Sequence, residues 1–159
     1  MSIQKSYLVN GCCNSHIELL AGEVFPKASG YLINIDSSTG KATKTVAADT
    51  VISGFADIGF LSDDSDVSSD VLTVVSTKER SYRFCEDPSM VVRMPLKSGE
   101  TLAVTHSGLL CDIDITSNVQ SVTTAATSTV VVQILSVNDQ DIALNAPRVR
   151  INPAKFGRS

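Results

Sequence analysis

The sequence predicts an all-β protein, a single sandwich or barrel-like domain, and three observations lead there. Val, Ile and Thr recur throughout the 159 residues, and Ser with Thr make up 34 of them. β-branched side chains suit a pleated, half-buried surface, whereas Leu, Ala, Glu and Lys dominate a helical protein. No window of about 11 or more residues keeps an apolar stripe at helical spacing. Instead, short apolar or alternating runs recur roughly every 8–12 residues with turn residues between them. No internal repeat is visible.

Residues 1–16 have no sustained period and are read as an extended N-terminal arm, ahead of a β domain at 17–153 and a C-terminal tail at 154–159. "YLINI" sets Tyr31, Ile33 and Ile35 against Leu32 and Asn34; "DSSTG" turns the chain and "KATKTV" returns as the second arm of a hairpin. "TVISGFADIGF" follows, with Gly54 and Gly59 marking bends, bulges or close backbone approaches. Residues 61–70, "LSDDSDVSSD", form a polar acidic loop before the short apolar strand "VLTVVS". "SYRFC" places Tyr82 and Phe84 on one face and Ser81, Arg83 and Cys85 on the other. "MVVRMPLKSGETLAVT" carries a proline suited to an edge and a "KSGE" turn. "LLCDIDIT" alternates Cys111, Ile113 and Ile115 with Asp112 and Asp114, as a strand with one wet face does. "VQSVTTAATSTVVVQILSV" reads as two strands around a turn near Ala125 and Ala126. The last strand, "RVRIN", points Val149 and Ile151 inward and Arg148 and Arg150 outward, and both chain ends are expected to be mobile.

Several function classes are disfavoured. A net charge of -4 lacks the basic face that a nucleic-acid binder uses to displace counterions. Aromatic residues are 5% and Trp is absent, so stacking platforms for sugars or single strands are scarce. The start has only "YLV" as an apolar run, too short for a secretory signal, and no run spans a membrane. Cys12, Cys13, Cys85 and Cys111 show no disulfide-framework spacing, so reduced thiols in a cytosol are expected. Charged residues are only 19%, which suggests a surface partly covered by partner subunits.

The candidates for chemistry are weak. "NGCCNSHIE" offers Cys12, Cys13 and His16, but adjacent cysteines in an extended chain point apart and a second ligand pair is missing. His106 beside Ser107 lacks the geometry of a nucleophile and its base, and no Gly-x-Ser-x-Gly elbow occurs. With Asp64 as position one of a calcium loop, Asp66, Ser68 and Asp70 fall in register, but Ser69 replaces the turn glycine and Val75 the closing glutamate. No phosphate-cradling glycine motif is present. After Asp141 the chain holds no acid but carries Arg148, Arg150, Lys155 and Arg158, opposite in sign to the acidic loop. Such separated charges can steer a subunit against a neighbour or another protein.

The stretch "ELLAGEVFPKASGYLINIDSSTGKATKTVAADTVISGFADIGF" resembles the opening of tailed-bacteriophage capsid decoration, or cement, proteins. The matching features are the Ala21–Gly22 step, the strand from Tyr31 to Asp36, the Ala/Thr/Lys strand from Lys41 to Val46, and the step from Val51 to Gly54. "SGETLAVTHSGLLCDI" and "VVVQILSVNDQDIALNAPRVRINP" look like the closing strands of such domains. The resemblance implies a β-sandwich or β-tulip-like protein, often trimeric, that sits on the capsid exterior and clamps neighbouring capsomers. The expected partners are then the major capsid protein and further copies of the chain, with no cofactor, no metal, no enzymatic activity, no nucleic acid and no membrane. Synthesis in the host cytoplasm and residence on the virion follow. Within the arm, Tyr7, Leu8, Val9 and His16 are the candidate contacts; at the basic end they are Arg148, Arg150, Lys155 and Phe156. The alternatives are a tail or head–tail connector subunit and, more remotely, a small trimeric β-barrel nucleotide hydrolase. For the latter, "DIDIT" has carboxylates but not the surrounding glycines.

Overall fold

The strand pattern is realised as three antiparallel sheets enclosing two apolar cores. The computed structural model describes residue 3 and residues 5–11 and 15–158. In chain order the strands are β1 (Tyr7–Asn10), β2 (Ser15–Glu18), β3 (Val24–Pro26), β4 (Ala28–Ile35), β5 (Ala42–Lys44), β6 (Gly54–Ile58), β7 (Val67–Ser68) and β8 (Val71–Thr73). They continue as β9 (Ser81–Cys85), β10 (Val91–Arg93), β11 (Leu110–Thr116), β12 (Val119–Thr123) and β13 (Val132–Ile134). A short helix α1 (Asp139–Leu144) precedes β14 (Arg148–Ile151). The sheets have the orders β1-β10-β14-β13-β11-β12, β2-β9-β6-β4-β5 and β3-β8-β7. The chain is all-β, with curled sheets of sandwich or barrel type.

The six-stranded sheet curls until it meets itself. Beyond β10, Met94 N–H donates to Pro147 O at 3.1 Å and Leu96 N–H to Asn145 O at 3.4 Å, just before β14. On its other side the same segment reaches β12, where Lys97 N–H donates to Val122 O at 2.8 Å and Val122 N–H to Pro95 O at 2.9 Å. This satisfies an edge that would otherwise be open to pairing with other chains. Met94, Cys111, Ile113, Val122, Val132, Ile134, Val149 and Ile151 fill the enclosed space.

The five-stranded sheet is covered on both faces. Leu32, Phe55 and Cys85 point into the first core, under the curled sheet. Their neighbours Tyr31, Ile33, Ala56 and Phe84 point into the second, which Phe25 of β3 and Leu72 of β8 close from the far side. This explains why "YLINI" is nearly continuous in apolar residues: a strand with two dry faces has no polar side. Gly54 fits the same logic, because a Cβ there would lie 2.3 Å from Cys85 O and 2.6 Å from the Phe84 ring. The β4–β5 hairpin forms as expected, its turn held by the Asp36 carboxylate, which accepts from Thr39 Oγ1 at 2.6 Å and Thr39 N–H at 3.1 Å.

Several expectations are corrected. Much of the stretch expected to be an arm is built into the sheets: β1 pairs with β10, and β2, which begins at Ser15, pairs with β9. The C-terminal tail is tied down, with Ile52 N–H donating to Lys155 O and Gly157 N–H to Ile52 O. The two strands expected around Ala125 do form, and both pair with β11, one on each side, instead of with each other. Part of the acidic loop is strand, since β7 forms a hairpin with β8 through Ser69 and Asp70, both with positive φ. Cys85 is disulfide-bonded, against the expectation of reduced thiols. Topology, not spacing along the chain, decides which cysteines can meet. Cys12 and Cys13 lie outside the described residues.

Candidate interaction surface

The outward face of the curled sheet gathers four of the eight candidate contacts. In an antiparallel pair, directly opposed residues share a face. Tyr7 of β1 opposes Arg93 of β10, and Arg93 opposes Arg148 of β14. Next along, Arg150 opposes Gln133 of β13, which opposes Leu110 of β11. Val149 and Ile151 point inward, so the alternation expected for "RVRIN" is correct. Tyr7 and Val9 are exposed on β1, while Leu8 between them turns inward against the core, with its N–H donating to Ser29 Oγ at 3.3 Å.

Helix α1 packs a carboxylate onto this face. Asn138 caps the helix: its side chain accepts from Asp141 N–H at 2.9 Å, and Asp141 Oδ2 accepts from Asn138 N–H at 3.0 Å. That reciprocal box fixes Asp141 over the sheet. Its carboxylate, 1% exposed, meets Arg93 Nη1 at 2.9 Å and Arg148 Nε at 3.1 Å. Burial pushes the Asp141 carboxyl up, but the Arg148 hydrogen bonds, the Asn138 N–H and the two guanidinium charges outweigh it and hold the group below the usual carboxylate range. Arg93 also donates to Ala146 O at 3.0 Å, and Arg148 to Ser136 O at 2.8 Å. Two cations share one anion here. Arg150 adds a third cation, bound to the neutral Gln133 Oε1 at 2.9 Å.

The other candidates lie elsewhere. His16 is exposed on β2 opposite Arg83. Lys155 sits in a 3-10 turn spanning Pro153–Lys155, and Phe156 packs against the first core beside Ile52. These three do not join the curled-sheet face.

Groups considered for chemistry hold the fold together. His106 lies in a 3-10 turn, Val104–His106, instead of a strand, and its Nδ1 accepts from Ala103 N–H at 3.1 Å. Ser107 Oγ donates to Val104 O at 2.7 Å and accepts from Val137 N–H at 3.0 Å. Asp112 is not on a wet face. It is buried and accepts the N–H groups of Ser128, Thr129 and Val130 at 3.0, 2.8 and 2.7 Å, closing the turn before β13. Burial raises its pKa, yet these three N–H groups bring it below the usual value. In the acidic loop, Asp64 and Asp66 are bound by Arg80, with Arg80 Nη2 at 2.7 Å from Asp64 Oδ1 and 2.6 Å from Asp66 Oδ2. Those oxygens clamp Arg80, itself 8% exposed, and so are taken up by a guanidinium. Among the described residues no cluster of three or more His, Cys, Asp or Glu is arranged to hold a metal ion, and no helix is long and apolar enough to cross a membrane. A groove of about 470 Å³ runs between the Pro95–Gly99 segment and the β11–β12 hairpin, but Lys97 and Asp114 there pair with each other at 3.3 Å.

Sequence reading missed Arg93 and Asp141 as partners, and Leu110 and Ile142 as exposed apolar residues near the basic strand. The capping pattern Asn138-x-x-Asp141 was the available signal for α1. No protein-family model, curated protein or solved structure matches the chain.

Proposed function

We propose that this chain is a structural virion protein that binds the outside of an assembled phage capsid, as a trimer, and stabilises the shell by clamping neighbouring capsomers. The observation that carries the self-assembling part of the reading is the outward face of the curled sheet, where Tyr7, Val9, Arg148 and Arg150 come together. A surface that mixes exposed apolar side chains with a surplus of arginine suits protein recognition, since both residue types anchor interfaces. The strand-and-turn likeness of residues 17–153 to decoration proteins supplies the kind of partner. His106, Ser107 and Asp112 are each occupied in holding turns, which favours a binding over a catalytic reading.

The action is mass action: a protein that binds the finished shell and not its free subunits stabilises the shell by an amount that rises with occupancy and affinity. The test is cosedimentation of purified protein with expanded shells and, separately, with free capsid protein. Binding to shells alone is the expected result. Binding to neither overturns the reading, and protein found only at a tail or portal vertex favours the connector alternative.

A further inference from the structure

We propose that the outward face of the curled sheet is one half of a head-to-tail contact between copies of this chain, and that the Leu61 loop is the other half. This deepens the trimeric part of the reading above by naming its subunit contact, and it stands or falls apart from capsid binding.

The two surfaces complement each other in charge and in apolar character. On the sheet face, Arg93 and Arg148 share the single carboxylate of Asp141, and among the described residues Arg150 has only the neutral Gln133, so the face carries an excess of positive charge even counting Asp139 in the first turn of α1. Tyr7, Val9, Leu110 and Ile142 are exposed around these arginines. The loop side has the opposite sign: residues 61–80 hold five acidic side chains and two basic ones. The two basic residues, Lys78 and Arg80, are engaged with Asp64 and Asp66. Asp63, Asp70 and Glu79 remain exposed and, among the described residues, have no side-chain hydrogen bond or ion pair, although the Lys41 charge acts on Glu79. Lys27, whose N–H donates to Asp70 O, offsets one of them. At the start of this acidic segment Leu61 is 71% exposed, the most exposed large apolar side chain among those described.

The loop is held in place before any partner arrives. Arg80 ties Asp64 and Asp66 to the body of the fold, and the β7–β8 hairpin continues from that anchor. A loop ordered in advance loses less conformational freedom on binding. The geometry makes the contact intermolecular. The sheet face lies outside the first core, whereas the loop belongs to the layer closing the second, with the five-stranded sheet between. One molecule cannot bring its own two surfaces together. Different patches meeting on successive copies make a heterologous contact, which closes into a ring when the rotation allows. Opposite charge then sets the register and hastens encounter, and salt weakens it.

The experiment is light scattering of the full chain across concentration and salt, with thermal melts to confirm folding of each variant. The wild type is expected at a mass of about three subunits, the number implied by the resemblance to decoration proteins and compatible with a closed heterologous ring. Arg150→Glu, Asp63→Lys and Leu61→Ser are each expected to weaken assembly by about tenfold or more, as loss of an interface anchor does. The chain carrying both Arg150→Glu and Asp63→Lys is expected to recover assembly, because the charges are exchanged together. A wild type that stays monomeric at high concentration overturns the proposal. So does assembly that ignores all three single substitutions, or one that responds to Arg150→Glu but not to the loop, which marks a two-fold contact of the face with itself. A wild-type ring that fails to sediment with shells sinks capsid decoration while leaving this contact intact. A folded, monomeric Leu61→Ser protein that still binds shells leaves decoration standing apart from the contact.

Discussion

Asp141 is the residue on which the basic face depends. It is nearly fully buried, satisfies two guanidinium groups, and caps the first turn of α1 through Asn138. Removing one member of a buried ion network leaves an uncompensated charge, at a cost of about 3–5 kcal/mol. Asp141→Ala is therefore expected to lower stability by about that amount in chemical denaturation, because Arg93, 4% exposed, cannot regain water without the sheet opening. A loss under about 1 kcal/mol would mean that Arg93 finds another acceptor. Cys111 illustrates the opposite case, a reactive type made inert. It is free and buried, and desolvation first, then Asp112 and Glu100, push its thiol up to about 12.

Between elements, the Gln120 side chain helps to join the curled sheet to the five-stranded one. Gln120 of β12 is buried; its Oε1 accepts from Leu32 N–H at 2.7 Å, and its Nε2 donates to Leu32 O at 2.8 Å and Thr45 O at 3.1 Å. It thus acts as a short piece of strand laid against β4. Gln120→Ala strands two buried backbone groups, Leu32 N–H and Thr45 O, each costing roughly 1–3 kcal/mol when left unsatisfied, while Leu32 O keeps the Thr45 N–H at 3.2 Å. The expected outcome is a clear drop in the unfolding midpoint, together with faster hydrogen exchange at Leu32. Unchanged exchange there would show that water takes over these bonds. A strand's own period says nothing about this contact, because residues 32 and 120 meet only when two sheets stack.

For the whole molecule, acid is the condition that dissolves these attachments together. Asp64 is held below the usual carboxylate range first by the Arg80 hydrogen bonds and then by the Asp66 N–H, and Asp112 and Asp141 also titrate low. A carboxylate whose folded pKa lies below its unfolded value stabilises fully above the unfolded value, near 4, and loses that contribution as pH falls through the folded one. The melting temperature is therefore expected to be flat from about pH 7 to 5 and to fall below about pH 4. Asp141→Asn should make that fall shallower; an acid slope identical to wild type would remove Asp141 from the account. By itself the sequence determined the β class, the β4–β5 hairpin and the inward and outward sides of β14, because all three follow from the two-residue period and local turn chemistry. Only the tertiary structure decided that the central sheet has two dry faces, that Asp112 and Asp141 are buried, and that β12 and β13 flank β11 without pairing. It also drew β1 and β2 out of the expected arm and placed Arg80 over the acidic loop. A period of two records that a strand has two sides, but whether a side meets water, a sheet or a charge is set by segments far away in the chain.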